Sequence, residues 1–146
     1  MAMTATYAGD VSSQQAWDML RDDERALLID VRTRAEWTFV GVPVLSEAGK
    51  ETILIEWQTF PTMARNPGFA DQVAKAVADR GVDPSAPLLF LCRSGQRSRD
   101  AAIALTEAGY DRCFNIAGGF EGPPDGDGHR GLSDGWKASR LPWAQS

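Results

Sequence analysis

The stretch from Leu88 to Ala108 constrains the fold more than any other. It opens with an unbroken apolar run, LLFLC, passes through the loop RSGQRS and continues as RDAAIALTEA. A run that is apolar at every position suits a strand covered on both faces. The segment after the loop reads as an amphipathic helix with Ala101, Ala102, Leu105 and Ala108 toward the core. Gly109 fits the C′ position that stops it. A second apolar run closed by an acid, ALLIDV from Ala26 to Val31, has the same strand character. Strands that alternate with helices predict an α/β fold with a mainly parallel sheet.

Cys92 falls where the first of these strands ends, and Arg97 follows after four residues, where the helix begins. A cysteine at the mouth of a loop feeding a helix N-terminus has a physical reason to be reactive. Loop N–H groups and the helix dipole both direct positive charge at the sulfur. Arg93 and Arg97 add full charges, and together these favour thiolate over thiol. The same cradle suits an oxyanion. In open parallel sheets ligands bind beyond the carboxyl ends of strands. Two strands end in useful chemistry, Asp30-Val31-Arg32 and Cys92-Arg93, and a third leads to Gly118-Gly119, where bare backbone can approach a ligand.

The rest of the chain fits around this. Tyr7 to Val11 reads as a short strand, and Ser12 or Ser13 caps a helix through Trp17 and Leu20 to about Arg21. Thr33 to Phe39 is a helical turn. Val42 to Leu45 and Thr52 to Trp57 are strand-like, separated by a polar loop from Ser46 to Lys50. Pro61 to Pro67 is irregular, and Phe69 to Arg80 is a helix with Phe69, Val73, Ala76 and Val77 on one face, ended by Gly81. Asp83 to Pro87 is a turn, and Arg112 to Ile116 is another short strand. Gly122 to Gly131, GPPDGDGHRG, is too rich in glycine and proline for regular structure; an ordered flap and a long surface loop are both open.

The 146 residues predict a single domain from 1 to 146, with its core at about 7–143. A net charge of −5 argues against nucleic-acid binding, and no apolar run approaches a membrane span. The N-terminal MAMTATYAGD lacks a signal-peptide pattern, so a cytoplasmic location is expected. Cys92 and Cys113 are too few for a disulfide framework and read as two thiols, Cys113 as a buried structural one. The single histidine, His129, rules out a multi-histidine metal site.

At three places the chain resembles the single-domain rhodaneses, a family of sulfurtransferases. Asp30-Val31-Arg32 followed by Glu36-Trp37 is similar to the DVR-x-x-x-E-[FW] signature. The loop from Cys92 to Ser98 is similar to C-R-x-G-x-R-S. Asn115 to Phe120, with Gly135-Trp136 and Leu141-Pro142-Trp143 downstream, is similar to the GG…W…GLP ending. The resemblance implies a mostly parallel five-stranded sheet with helices on both faces, and no metal or organic cofactor. It implies a Cys92 persulfide that takes sulfur from a small anionic donor such as thiosulfate and passes it to cyanide or a thiol. Arg93, Ser94, Gly95, Gln96, Arg97 and Ser98 would bind the substrate. Asp30, Arg32 and Glu36 would support neighbouring loops, Glu36 by pairing with an arginine. The G-H-I-x-G-A segment common in the family is replaced by Gly41-Val42-Pro43-Val44 and a longer excursion to Pro67. Trp57, Phe60 and Met63 in that excursion either line the pocket mouth or pack onto the core; packing is expected for at least two of them.

Two other function classes compete. A relay or interaction module loaded by a partner protein would carry the same residues. A Cys-dependent phosphatase or arsenate reductase would use similar loop logic. Those loops hold five residues between Cys and Arg, whereas this one holds four, which favours a smaller reacting centre.

Overall fold

A computed structural model of the chain describes residues 6–145. The residues read for a signal peptide therefore lie partly outside the described part, as does Ser146. In chain order the elements are β1 (Gly9–Val11), α1 (Ser13–Asp22), β2 (Leu27–Asp30), α2 (Arg34–Phe39), β3 (Val42–Pro43), β4 (Ile53–Leu54), β5 (Gln58–Thr59), β6 (Ala64–Arg65), α3 (Phe69–Asp79), β7 (Leu88–Leu91), α4 (Gln96–Glu107), β8 (Cys113–Ile116) and β9 (Trp143–Ala144).

Both apolar runs become interior strands. β2 and β7 are buried at every residue and lie side by side, with Leu27 opposite Leu88 and Asp30 opposite Leu91. The five-stranded sheet has the order β1-β8-β7-β2-β4, and every pairing in it is parallel. Side-chain alternation divides the interior into two layers. Leu27, Ile29, Leu88 and Phe90 face α3 and α4, against Phe69, Val73, Ala101 and Leu105. Leu28, Leu89 and Leu91 face α1 and the C-terminal segment, against Ala16, Trp17, Leu20, Phe120 and Trp136. Helices thus cover both faces, as the resemblance implies.

Capping decides where the first two helices begin. Ser12, not Ser13, caps α1: its Oγ accepts from Gln15 N–H at 3.1 Å, and its own N–H donates to Gln15 Oε1 at 2.8 Å. Thr33 and Glu36 form the same reciprocal box on α2. At the other end of α4, Ala108 is the C-cap and is exposed, contrary to the core position expected for it. The apolar stripe ends at Leu105, one turn earlier.

The excursion from residue 42 to 67 differs most from its sequence reading. β3 joins no central strand but pairs antiparallel with β9, so the tail closes over it. The strand expected over Thr52–Trp57 is regular only at β4. Beyond it, Ile55 and Trp57 N–H still donate to the carbonyls of Asp30 and Val31 at 3.1 Å each. The stretch expected to be irregular holds half of a hairpin, β5 with β6, pinned where Asn66 N–H meets Trp57 O at 2.9 Å. Of the three residues weighed there, only Trp57 joins the core, edge-on to Phe69 at 5.0 Å. Phe60 at the hairpin tip is 60% exposed, and Met63 is half-exposed.

The DVR segment anchors this region. Asp30 and Arg32 are both fully buried. Arg32 Nε and Nη2 donate to the Asp30 carboxylate at 2.9 and 2.6 Å, and Nη2 also reaches Gly41 O at 2.7 Å. The guanidinium lies 4.2 Å from the Phe120 ring centroid. One pair thereby joins the end of β2 to the turn before β3 and to the C-terminal segment. Removing one partner leaves the other charge buried alone, so Arg32→Ala should lower unfolding free energy by about 3–5 kcal/mol in urea titrations.

Candidate functional site

β7 delivers Cys92 to the carboxyl edge of the sheet, and the loop after it turns directly into α4. The loop is held by backbone from beneath. Phe120 N–H donates to Cys92 O at 2.8 Å, and the N–H groups of Glu121 and Gly122 both donate to Arg93 O at 3.0 Å. Two glycines permit this approach. Gly119 (φ +68°) lies so close to Arg93 that a Cβ would collide with its carbonyl. Gly95 (φ +111°) begins α4 in a left-handed conformation, and a Cβ there would strike Ala117 O.

This fold of the loop aims two groups at the sulfur. Gly95 N–H donates to Cys92 Sγ at 3.1 Å, and Ser98 Oγ lies 3.2 Å from it. Cys92 is 1% exposed, and it opens into a cleft of about 340 Å³. Arg93 and Ser94 line that cleft from the loop, Gln96 and Arg97 from the first turn of α4, Glu36 from α2, and Gln58 and Met63 from the hairpin. Gly95 and Ser98 are buried beneath it, where they meet the sulfur itself.

The two loop arginines differ. Arg97 is clamped by Glu36, Nη1 to Oε1 at 2.6 Å and Nη2 to Oε2 at 2.9 Å. This is the arginine partner expected for Glu36, which also caps α2 through Thr33. Arg93 is exposed and has no ion pair among the described residues. Asp30 and Arg32 sit behind the cleft and do not line it. Arg34, expected on a solvated face, is exposed.

Sequence reading did not single out two participants. Asn115 reaches Ser98 from β8, and Asp10 reaches Asn115 from β1. The available signal was a polar residue inside a strand otherwise bound for the core, since a buried amide needs partners. Cys113 is fully buried, and burial pushes its thiol up to about 11. It pairs with Leu88, at the far end of β7 from Cys92. Four residues of strand separate those ends by about 13 Å, well beyond disulfide reach. His129 lies exposed in the Gly/Pro-rich segment. That segment has no regular structure but is ordered locally: Asp125 N–H donates to His129 O at 2.7 Å, and Arg130 Nη1 to Gly122 O at 2.7 Å. A larger groove of about 610 Å³, bordered by α2, β4 and α3, contains neither cysteine nor histidine.

Two measurements follow from this geometry. Burial alone would raise the Glu36 carboxyl, but hydrogen bonds and charge from Arg97 outweigh it and hold the group below its ordinary 4.5. A depressed carboxyl stabilises the fold fully above that ordinary value and loses its contribution as pH falls through the folded value. Glu36→Gln should therefore cost about 1 kcal/mol near neutral pH and flatten the acid limb of a stability-against-pH curve. Thiol counting is the second: at pH 8 the native protein should give one iodoacetamide adduct, at Cys92, and two only after unfolding.

Comparisons with known proteins bear on the family and the fold. The family model for the rhodanese-like domain matches residues 12–122. An uncharacterized protein of Rickettsia conorii is 40% identical over 134 residues, 92% of this chain and 95% of its own length. The thiosulfate sulfurtransferase GlpE of Actinobacillus pleuropneumoniae is 25% identical over 140 residues, 96% of this chain and 95% of its own. Among solved structures, Rv0390 of M. tuberculosis superposes with a TM-score of 0.83 at 47% identity, covering 97% of this chain and 100% of that one. The polysulfide-sulfur transferase homodimer of Wolinella succinogenes shares the fold, with a TM-score of 0.58 at 21% identity over 96% of this chain and 80% of its own. With its parallel sheet, its Cys92 loop and a match across most of its length, this chain belongs to the rhodanese-like domain family.

Proposed function

We propose that this protein is a sulfurtransferase that carries sulfane sulfur on Cys92. The single observation that carries the reading is the environment of Sγ: a buried sulfur at the head of α4, receiving the Gly95 N–H and opening toward Arg93. Family membership and the similarity to GlpE support the same class.

In the proposed reaction the Cys92 thiolate attacks the outer sulfur of thiosulfate or a like anion. A new S–S bond forms, the old S–S bond breaks, and sulfite leaves with its electron pair. A cyanide or thiolate acceptor then attacks the terminal persulfide sulfur and returns the pair to Cys92 Sγ. Negative charge stays near the sulfur throughout, where fixed loop N–H groups and the α4 dipole stabilise it. In this reading Arg93 meets the donor's oxygens, supported by its place in the cleft lining and its lack of an ion pair among the described residues. Glu36 takes one N–H from each terminal nitrogen of Arg97 and fixes the guanidinium, so in this reading Arg97 serves loop order and background charge beside the donor site.

The four residues between Cys92 and Arg97, one fewer than in the phosphatase loops, count against phosphatase chemistry. A protein acting as donor or acceptor is favoured by one observation, the exposed Phe60 and Met63 on the hairpin beside the cleft. Free thiols at both cysteines suit the reducing cytoplasm that we infer as the location. No described helix is long and apolar enough to cross a membrane.

Intact-mass measurement after incubation with thiosulfate tests the reading. The protein should gain one sulfur atom, cyanide should remove it, and Cys92→Ser should gain none. Steady-state lines should be parallel in double-reciprocal form. Sulfur uptake by Cys92→Ser would refute the assignment.

A further inference from the structure

Asn115 takes no part in the reaction above, yet it is connected to the reacting sulfur. It is 3% exposed within β8. Its Nδ2 donates to Asp10 Oδ1 at 3.1 Å, and its Oδ1 accepts from Ser98 Oγ at 2.5 Å. Ser98 Oγ in turn lies 3.2 Å from Cys92 Sγ. Tyr7 donates to the same Asp10 oxygen at 2.7 Å and steadies the carboxylate at the surface end of the chain.

Counting donors fixes the sense of every bond. A carboxylate only accepts, so Asn115 presents its NH₂ to Asp10 and its carbonyl to Ser98. Ser98 can donate to either Asn115 Oδ1 at 2.5 Å or Cys92 Sγ at 3.2 Å but has one proton, and the shorter contact, to Asn115, holds it in the resting site. Only lone pairs are left facing the sulfur. In that arrangement Ser98 accepts the S–H of a Cys92 thiol and offers nothing to an anionic sulfur. Gly95 N–H, by contrast, is directed at the sulfur in either state. An anionic sulfur gains the Ser98 proton only by drawing it away from Asn115.

We propose that Asn115, oriented by Asp10, is a positioning residue that sets which way the Ser98 hydroxyl faces Cys92 and so biases the resting sulfur toward the thiol. The inference rests on Cys92 as the sulfur carrier for its bearing on turnover. Loop charges and the Asn115 chain then act in opposite senses. Arg93 and Arg97 in the cleft favour the anion, while Glu36 lies across from them and Asp30 behind Arg97. None of these four hydrogen-bonds to Asn115, whose partners are Ser98 and Asp10.

The test is the pH midpoint of iodoacetamide alkylation at Cys92, followed on the Cys92 peptide by mass spectrometry in the absence of any sulfur donor. In Asn115→Ala the Ser98 proton is free to turn to the sulfur, and the midpoint should fall by about half to one pH unit. Asp10→Ala releases the amide to rotate and should move the midpoint the same way by less. In a Ser98→Ala background, Asn115→Ala should produce no further shift. A midpoint that is unmoved or raised in Asn115→Ala overturns the proposal, as does a shift that survives without Ser98. Should Asn115→Ala fail to fold, Asp10→Ala decides, because Asp10 is exposed. Sulfur loading from thiosulfate, measured in parallel, keeps the two readings apart. Loading with an unmoved midpoint overturns this inference alone. A shifted midpoint in a protein that loads no sulfur from any donor supports it and overturns the carrier role alone.

Discussion

The Cys92 loop is held by peptide groups it does not own. The carbonyls of Cys92 and Arg93 accept three N–H groups from the Phe120–Gly122 turn, and this grip holds the loop so that the Gly95 N–H meets the sulfur. Without it, a short basic loop would have no reason to curl around one sulfur, because its arginines repel each other. The grip requires β7 and β8 to be parallel neighbours, so that the segments leaving both strands emerge on one edge of the sheet. The geometry of the Cys92 loop is therefore a consequence of sheet topology, transmitted through backbone hydrogen bonds.

Side chains act one layer further out. Glu36 caps α2 through Thr33 and clamps Arg97 with both carboxylate oxygens. The helix start and the loop end are thus fixed by one residue. Asp30 and Arg32 do the same on the other side, joining β2 to the turn at Gly41 and to Phe120. A buried ion pair is weak as a source of stability but strict about geometry, since each charge tolerates only the position that satisfies it. This explains why residues that never line the cleft belong to the same constellation as those that do.

Much of this was legible in the sequence because the central strands are apolar at every position and the loop chemistry is contiguous. Cys92, its arginines and the α4 stripe sit within one short stretch, and Glu36 stands three residues after the Thr33 that it caps with. What stayed hidden depends on pairing between distant segments. β3 and β9 are each two residues long and carry no periodic signal; their register exists only once the tail has folded back. The β5–β6 hairpin is equally short, and its proline and polar residues read as loop. Asn115 and Asp10 are far apart in sequence and meet only through the β1–β8 pairing, so no local pattern could reveal their bond.

The placement of Cys113 has a consequence for oxidative damage. Because it lies at the opposite end of the sheet from Cys92 and is sealed in the core, no second described thiol can condense with an oxidised Cys92. Many redox-sensing cysteines escape over-oxidation by closing a disulfide with a neighbour. Here the thiol that reduces a sulfenic acid on Cys92 has to come from outside the chain, so recovery depends on what can enter the cleft.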